Sequence, residues 1–274
     1  MRRAGLAITL ALIWANAGRA AEADYPDWSG AWLRRTAAIF DPAKPKGRGQ
    51  QPPLTEEFQK VWERGLADQA AGGQGDNPTA DCRPTGMPRF MISYGLGLEF
   101  VITPKITYVV QSVPYQEVRR IFTDGRAWPD DISPAYTGFS IGKWEASGRA
   151  GAGYDTLSVE TRGLRGPRSF DSSGIPFHPE NSTVVFEKIY IDPRSEERMF
   201  NETAVVDKAL ARPWNVLRTY YRNRAPDWTE VICAEDDHQV RIGDERYFLG
   251  GDGALMPTRK GQPAPRLKGF DRED

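Results

Sequence analysis

From about residue 98 to residue 234 the chain repeats one pattern: a short run rich in β-branched and aromatic residues, followed by a turn signal. Such runs occupy 100–103, 106–113, 118–123, 157–161, 183–191, 199–206, 216–222 and 230–234. Pro104-Lys105, Asp124-Gly125, Asp192-Pro193 and Pro226-Asp227 punctuate them. Strands joined by turns this short pair with their sequence neighbours, and a succession of them without intervening helices closes on itself. The pattern predicts an all-β fold, an antiparallel up-and-down β-barrel, forming a single domain over residues 24–250.

One helix precedes the strands. Thr55 is placed to cap it, Glu56 and Glu57 suit the positive end of its dipole, and Phe58, Val61, Trp62 and Leu66 recur at helical spacing until Gly72-Gly73. Eight Trp, ten Tyr and twelve Phe supply a well-filled core. Residues 251–274 are rich in Gly, Pro and charge, which predicts a loosely ordered tail.

Met1-Arg2-Arg3, an apolar run over 4–15 and small residues ending at Ala20 or Ala23 have the pattern of a secretory signal peptide, with residues 1–20 the expected leader and an uncleaved anchor the alternative. The run is shorter than the roughly 20 residues of a membrane span, and no later segment is long and apolar enough to cross one. The expected location is periplasmic or secreted. Losing Arg2, Arg3 and Arg19 takes the net charge from −1 to −4. That balance gives no electrostatic reason to bind nucleic acid or anionic lipid. The two cysteines, Cys82 and Cys233, are expected to pair, since export favours oxidation. Closing so long a loop is worth about 4–5 kcal/mol in the chain-entropy model. Two buried free thiols are the alternative.

Strand side chains alternate between faces, so Val118, Arg120 and Phe122 share one face, while Arg119 and Ile121 share the other. Whichever face is buried takes an arginine with it, and that guanidinium needs a carboxylate, an anion or water. Val185, Glu187 and Ile189 pose the same problem beside Phe186 and Lys188. Pairing Glu187 or another carboxylate with the inward arginine, expected to be Arg120, is the economical solution, because an unpaired buried charge is costly. Such a pair is either a structural clamp or a polar spot in a ligand-binding lumen.

Several motifs recur together: Trp28-Ser29-Gly30-Ala31-Trp32, Pro53-Leu54-Thr55, residues 82–89 beginning at Cys82, Glu99-Phe100 before Thr103-Pro104, residues 119–126, residues 138–145 ending in Trp144-Glu145, and Phe177-His178-Pro179-Glu180. As a set, over most of the chain, they resemble an uncharacterised family of exported bacterial proteins. The resemblance implies no assigned activity. Gly30-Ala31-Trp32 is also similar to the Gly-x-Trp that opens lipocalin barrels, which implies a lipocalin-like barrel.

For function, His178 is the candidate acid/base with Glu180 orienting it, and Arg120 is the candidate for steadying an anionic intermediate. Arg126, Asp124, Trp144 and Glu145 are expected at the wall or rim of the same cavity. A surface role for His178, a plain hairpin turn for Asp124-Gly125-Arg126 and a core role for Trp144 are the alternatives. Gly138-Phe139-Ser140-Ile141-Gly142 matches a nucleophile elbow, but that motif needs a strand-turn-helix that a β-meander does not supply. No phosphate loop, dinucleotide fingerprint or metal-spaced His/Cys cluster occurs, so no cofactor or metal is expected. Three readings follow: a cofactor-free lyase, isomerase or hydrolase acting on a small, partly apolar substrate in a barrel cavity, a non-catalytic carrier or sensor of a small hydrophobic ligand, or a purely structural envelope protein that needs no cavity. The sequence leaves the oligomeric state open.

Overall fold

The computed structural model describes residues 25–34, 50–73, 75–92, 97–111, 116–146, 153–227, 232–233, 238–243 and 245–265. The leader at 1–20, most of the run at 230–234 and the end of the chain beyond 265 lie outside the described residues.

Nine strands form a closed barrel: β1 Ala31–Leu33, β2 Leu98–Ile102, β3 Ile106–Gln111, β4 Glu117–Phe122, β5 Phe139–Glu145, β6 Thr156–Arg162, β7 Val184–Asp192, β8 Ser195–Val206 and β9 Trp214–Asn223. Each strand pairs with the next, and three-residue β1 closes the ring by pairing Trp32 with Leu98 on β2 and with Arg222 on β9. The expectation of purely antiparallel pairing needs one correction: β4 and β5 run parallel, with Ile121 opposite Ser140. A parallel neighbour requires a crossover of a dozen or more residues, and residues 123–138 provide it.

The strands obey the period-two rule. On β7, Val185, Glu187 and Ile189 point inward and are buried, while Phe186 and Lys188 are exposed. Trp28, Leu98, Val109, Ile121, Leu157, Met199, Val216 and Tyr220 belong to one continuous core. Gly142 matters to that packing, because a Cβ there would come within 2.6 Å of the Ile121 side chain.

Helix α1 (Glu56–Ala70) starts as the sequence predicts, with the Thr55 hydroxyl accepting from the Phe58 amide. Phe58 and Trp62 are its buried face. Thr55 N–H donates to Ala209 O in the β8–β9 connection (2.9 Å), and Trp62 Nε1 donates to Ser173 Oγ (3.1 Å). The helix therefore lies along one end of the barrel.

A further three-stranded antiparallel sheet stands apart from the barrel: β10 His238–Ile242, β11 Glu245–Leu249 and β12 Leu255–Pro257. The reading of 24–250 as barrel alone is thus corrected, and part of the expected loose tail is β12. Tyr247, 3% exposed, gives this sheet a buried aromatic. Cys82 and Cys233 are joined, with Cα atoms 5.6 Å apart. The bond connects the end of a 3₁₀ turn at Pro78–Asp81 to the segment just before β10. Arg246 on β11 reinforces the join through Asp81 (3.5 Å) and Gly75 O.

Candidate functional site

The charged pair expected inside the barrel is there, built on Arg119 instead of Arg120. Arg119 and Glu187 form an ion pair with both side chains at 0% exposure. Arg119 Nε donates to Ser140 Oγ (3.2 Å) and Nη2 to Thr161 Oγ1 (2.8 Å), while Asn201 Nδ2 donates to Glu187 Oε1 (2.9 Å). Arg120 is exposed on the outer face. The inward phase of β4 follows Ile121, at 0% exposure, and Glu117, whose carboxylate accepts from the Thr85 and Gly86 amides. Ser140, the motif serine, is a buried strand residue committed to this network.

The other candidates disperse. Asp124 and Arg126 are exposed and pair with each other (2.6 Å), and the Arg126 guanidinium lies 3.8 Å above the Phe122 ring. The Arg126 hydrogen bonds hold the Asp124 carboxyl down at about 2. Trp144 is a core residue, donating to Thr107 Oγ1 (3.2 Å) and packing on Trp28 with ring centres 4.8 Å apart. Half-buried Glu145 accepts from Ser158 Oγ (3.2 Å). Glu180 is exposed, and its carboxylate is hydrogen-bonded to Lys208, the main cause of its lowered pKa, with the charge of nearby His178 a smaller one.

His178 sits at the opposite end of the barrel from Trp144. The ladder puts Trp144 level with Leu157 and Ile189, whereas the loop carrying His178 leads into Val184, the start of β7. That loop is held by its own hydrogen bonds. Phe170 N–H donates to Ile175 O (2.9 Å), and the Ser173 amide bonds Asp171 Oδ1 (2.9 Å) across a turn ending at Gly174, whose φ of +81° suits glycine. Phe170 and Phe177 stack with ring centres 3.8 Å apart, and Phe170 meets Trp214 edge-on.

Beside this loop opens a cleft of about 680 Å³ between the barrel end and the β10–β11 hairpin. Arg168, His178 and Phe177 form one wall, Arg241 and Arg246 belong to the other, and Val61 of α1 contributes an apolar patch. Arg168 is anchored by Nη1 to Met87 O (2.9 Å) and Nη2 to Thr183 Oγ1 (2.8 Å), with its guanidinium 4.3 Å from the Phe177 ring centre. Burial pulls its pKa down to about 10, and nearby Asp207 opposes that shift. Asp207 ties the site together, accepting from the Thr183 hydroxyl (2.5 Å) and from the amides of His178 (2.9 Å) and Ala209 (2.8 Å). The His178 ring lies 5.4 Å from Phe58. Its Nδ1 accepts the Glu180 N–H (3.3 Å), which leaves the proton of the neutral ring on Nε2, as a donor.

None of Arg120, Asp124, Arg126, Trp144 or Glu145 lines this cleft. Sequence reasoning found His178 and missed Arg168, Arg241 and Arg246. One signal was available: a two-residue turn after Ile242 pairs Ile242 with Glu245 and therefore Arg241 with Arg246. A second depression of about 510 Å³ lies on the outer wall of β7–β9, floored by Phe186, Ala204 and Leu217. Among the described residues no group of three or more His, Cys, Asp or Glu is placed to hold a metal ion, and no helix is long and apolar enough to cross a membrane. Comparison with protein-family models, curated proteins and solved structures finds no match.

Proposed function

We propose that the chain is an exported small-molecule-binding protein, a carrier or sensor, whose site is the cleft at the barrel end and not the barrel lumen. The observation that carries this reading is the concave site of about 680 Å³ in which a buried arginine and a histidine share an aromatic wall. That volume is in the range of ordinary ligand sites, and its lining sets Phe177, Val61 and several prolines beside a strongly charged group of arginines and aspartates. The lumen competes poorly, because Glu187, Ser140 and Thr161 already take up the Arg119 guanidinium. Export accords with the leader pattern of residues 1–20 and with the Cys82–Cys233 bond.

Proton transfer by His178 in the same cleft is the second reading, favoured by an Nε2 left as donor once Nδ1 has accepted the Glu180 amide. It loses the carboxylate partner expected from the sequence, since Glu180 is engaged by Lys208.

Titration with the neutral fluorescent probe N-phenyl-1-naphthylamine tests the binding reading. Saturable enhancement is expected for the native chain, and its loss on Val61→Trp, which fills the cleft from α1. Binding unchanged by Val61→Trp would place the ligand elsewhere and overturn the proposal.

A further inference from the structure

We infer that the ligand of this cleft is an organic anion whose charged head is held by Arg241 and Arg246 and whose apolar body lies towards Phe177 and Val61. The inference rests on the cleft being the binding site.

Arg241 and Arg246 are directly opposed across the β10–β11 ladder, and both line the cleft. Like charges facing each other across a strand pair are destabilising. Among the described residues only one of them is compensated. Arg246 is engaged by Asp81 (3.5 Å) and Gly75 O, whereas the exposed Arg241 side chain makes no ion pair or hydrogen bond with the described residues. The neighbouring Glu245 does not serve it, being held by Arg259 at 2.6 and 2.8 Å.

The whole cleft repeats the imbalance. Among the described residues Arg83, Arg168, Arg241 and Arg246 line it against Asp76 and Asp81. Arg168 spends its hydrogen bonds on a carbonyl and a hydroxyl, so it adds field without consuming a carboxylate inside the cleft. A bound anion resolves the opposed pair, and guanidinium forks fit a carboxylate, phosphate or sulfonate head through paired hydrogen bonds. The apolar wall gives the rest of the molecule its place, so the class is an amphiphilic organic anion and not a free inorganic ion.

Two matched probes test this: neutral N-phenyl-1-naphthylamine and 1-anilinonaphthalene-8-sulfonate, which carries the same two ring systems plus a sulfonate. Dissociation constants are measured for the native chain, Val61→Trp and Arg241→Gln. Arg241 holds no other residue in place, so Arg241→Gln is expected to fold, with far-ultraviolet circular dichroism as the check. The sulfonate is expected to bind the native chain about tenfold more tightly than the neutral probe. Arg241→Gln should remove most of that advantage, read as the ratio of the two dissociation constants. Displacement of the sulfonate by 1-naphthoate or by 1-naphthyl phosphate then identifies the preferred head. Equal affinities for the two probes, or an unchanged sulfonate affinity in Arg241→Gln, overturn the inference while neutral binding sensitive to Val61→Trp preserves the site. Neutral binding that is absent or insensitive to Val61→Trp overturns both.

Discussion

Arg119 reaches from β4 to Glu187 on β7, across the interior of the barrel, and neither side chain touches solvent. Two charges removed from water lose their hydration, and only close geometry with further hydrogen bonds offsets that loss. Ser140, Thr161 and Asn201 supply those bonds. The pair is a cross-brace between strands that are not neighbours in the ladder.

Removing one partner should therefore be costly. Glu187→Ala is expected to lower the unfolding free energy by about 3–5 kcal/mol, because it strands a buried guanidinium. The double change Arg119→Met with Glu187→Leu should recover at least half of that. Urea denaturation of the three proteins checks both statements, and a cost for Glu187→Ala below about 1 kcal/mol would contradict the brace.

Arg120 provides the internal control. It is exposed on the outer face one residue along from the brace, so Arg120→Ala should shift stability by no more than about 0.5 kcal/mol. The same denaturation series compares it with Arg119→Ala.

Tyr190 should titrate late. Burial first, then its hydrogen bond to Glu202 (2.6 Å), raises the phenol to about 12 from an ordinary value near 10. The folded chain then holds this proton more tightly than the unfolded chain. Its contribution to stability is complete below about pH 10 and is lost as pH rises towards about 12. Glu202→Gln should bring the midpoint down only part of the way, since burial is the larger cause. Ultraviolet phenolate absorbance of native and Glu202→Gln proteins, each against its Tyr190→Phe counterpart, measures the shift.

Breaking the Cys82–Cys233 bond should act on the cleft before the barrel. Replacing both cysteines by alanine removes about 4–5 kcal/mol in the chain-entropy model, and the bond tethers the segment before β10. Amide exchange is expected to quicken in β10–β12 and in the 3₁₀ turn at Pro78–Asp81, with β6–β8 keeping their protection. Uniform loss of protection across β6–β8 would show that the bond supports the barrel itself.

Much of the barrel was legible because its strands are short, consecutive and joined by clear turn residues. The expected inward pairing of Glu187, which shares its face with Val185 and Ile189, agreed with the structure. The phase of β4 did not, for a physical reason. Phe122 points outward, yet it is covered there by Arg126 and packs on Phe139, which also meets Trp128 from the 123–138 crossover. With apolar residues wanted on both faces, alternation alone favoured the wrong arginine. The parallel β4–β5 pairing was hidden by the same crossover. The cleft was hidden because it joins α1, the loop at 166–181 and the β10–β11 hairpin. Only the two cysteines hinted that such distant segments meet.

The barrel closes through a strand three residues long at its beginning and another at 214–223. Its first strand has no second partner until the last barrel strand exists, so the ring cannot be completed before residues 214–223 have been made. Such long-range pairing is also slow to form. Until it forms, both seam strands offer unpaired edges to any neighbouring chain. A polypeptide with this seam spends its early life open, and its yield depends on how well it is kept apart from copies of itself until the two ends meet.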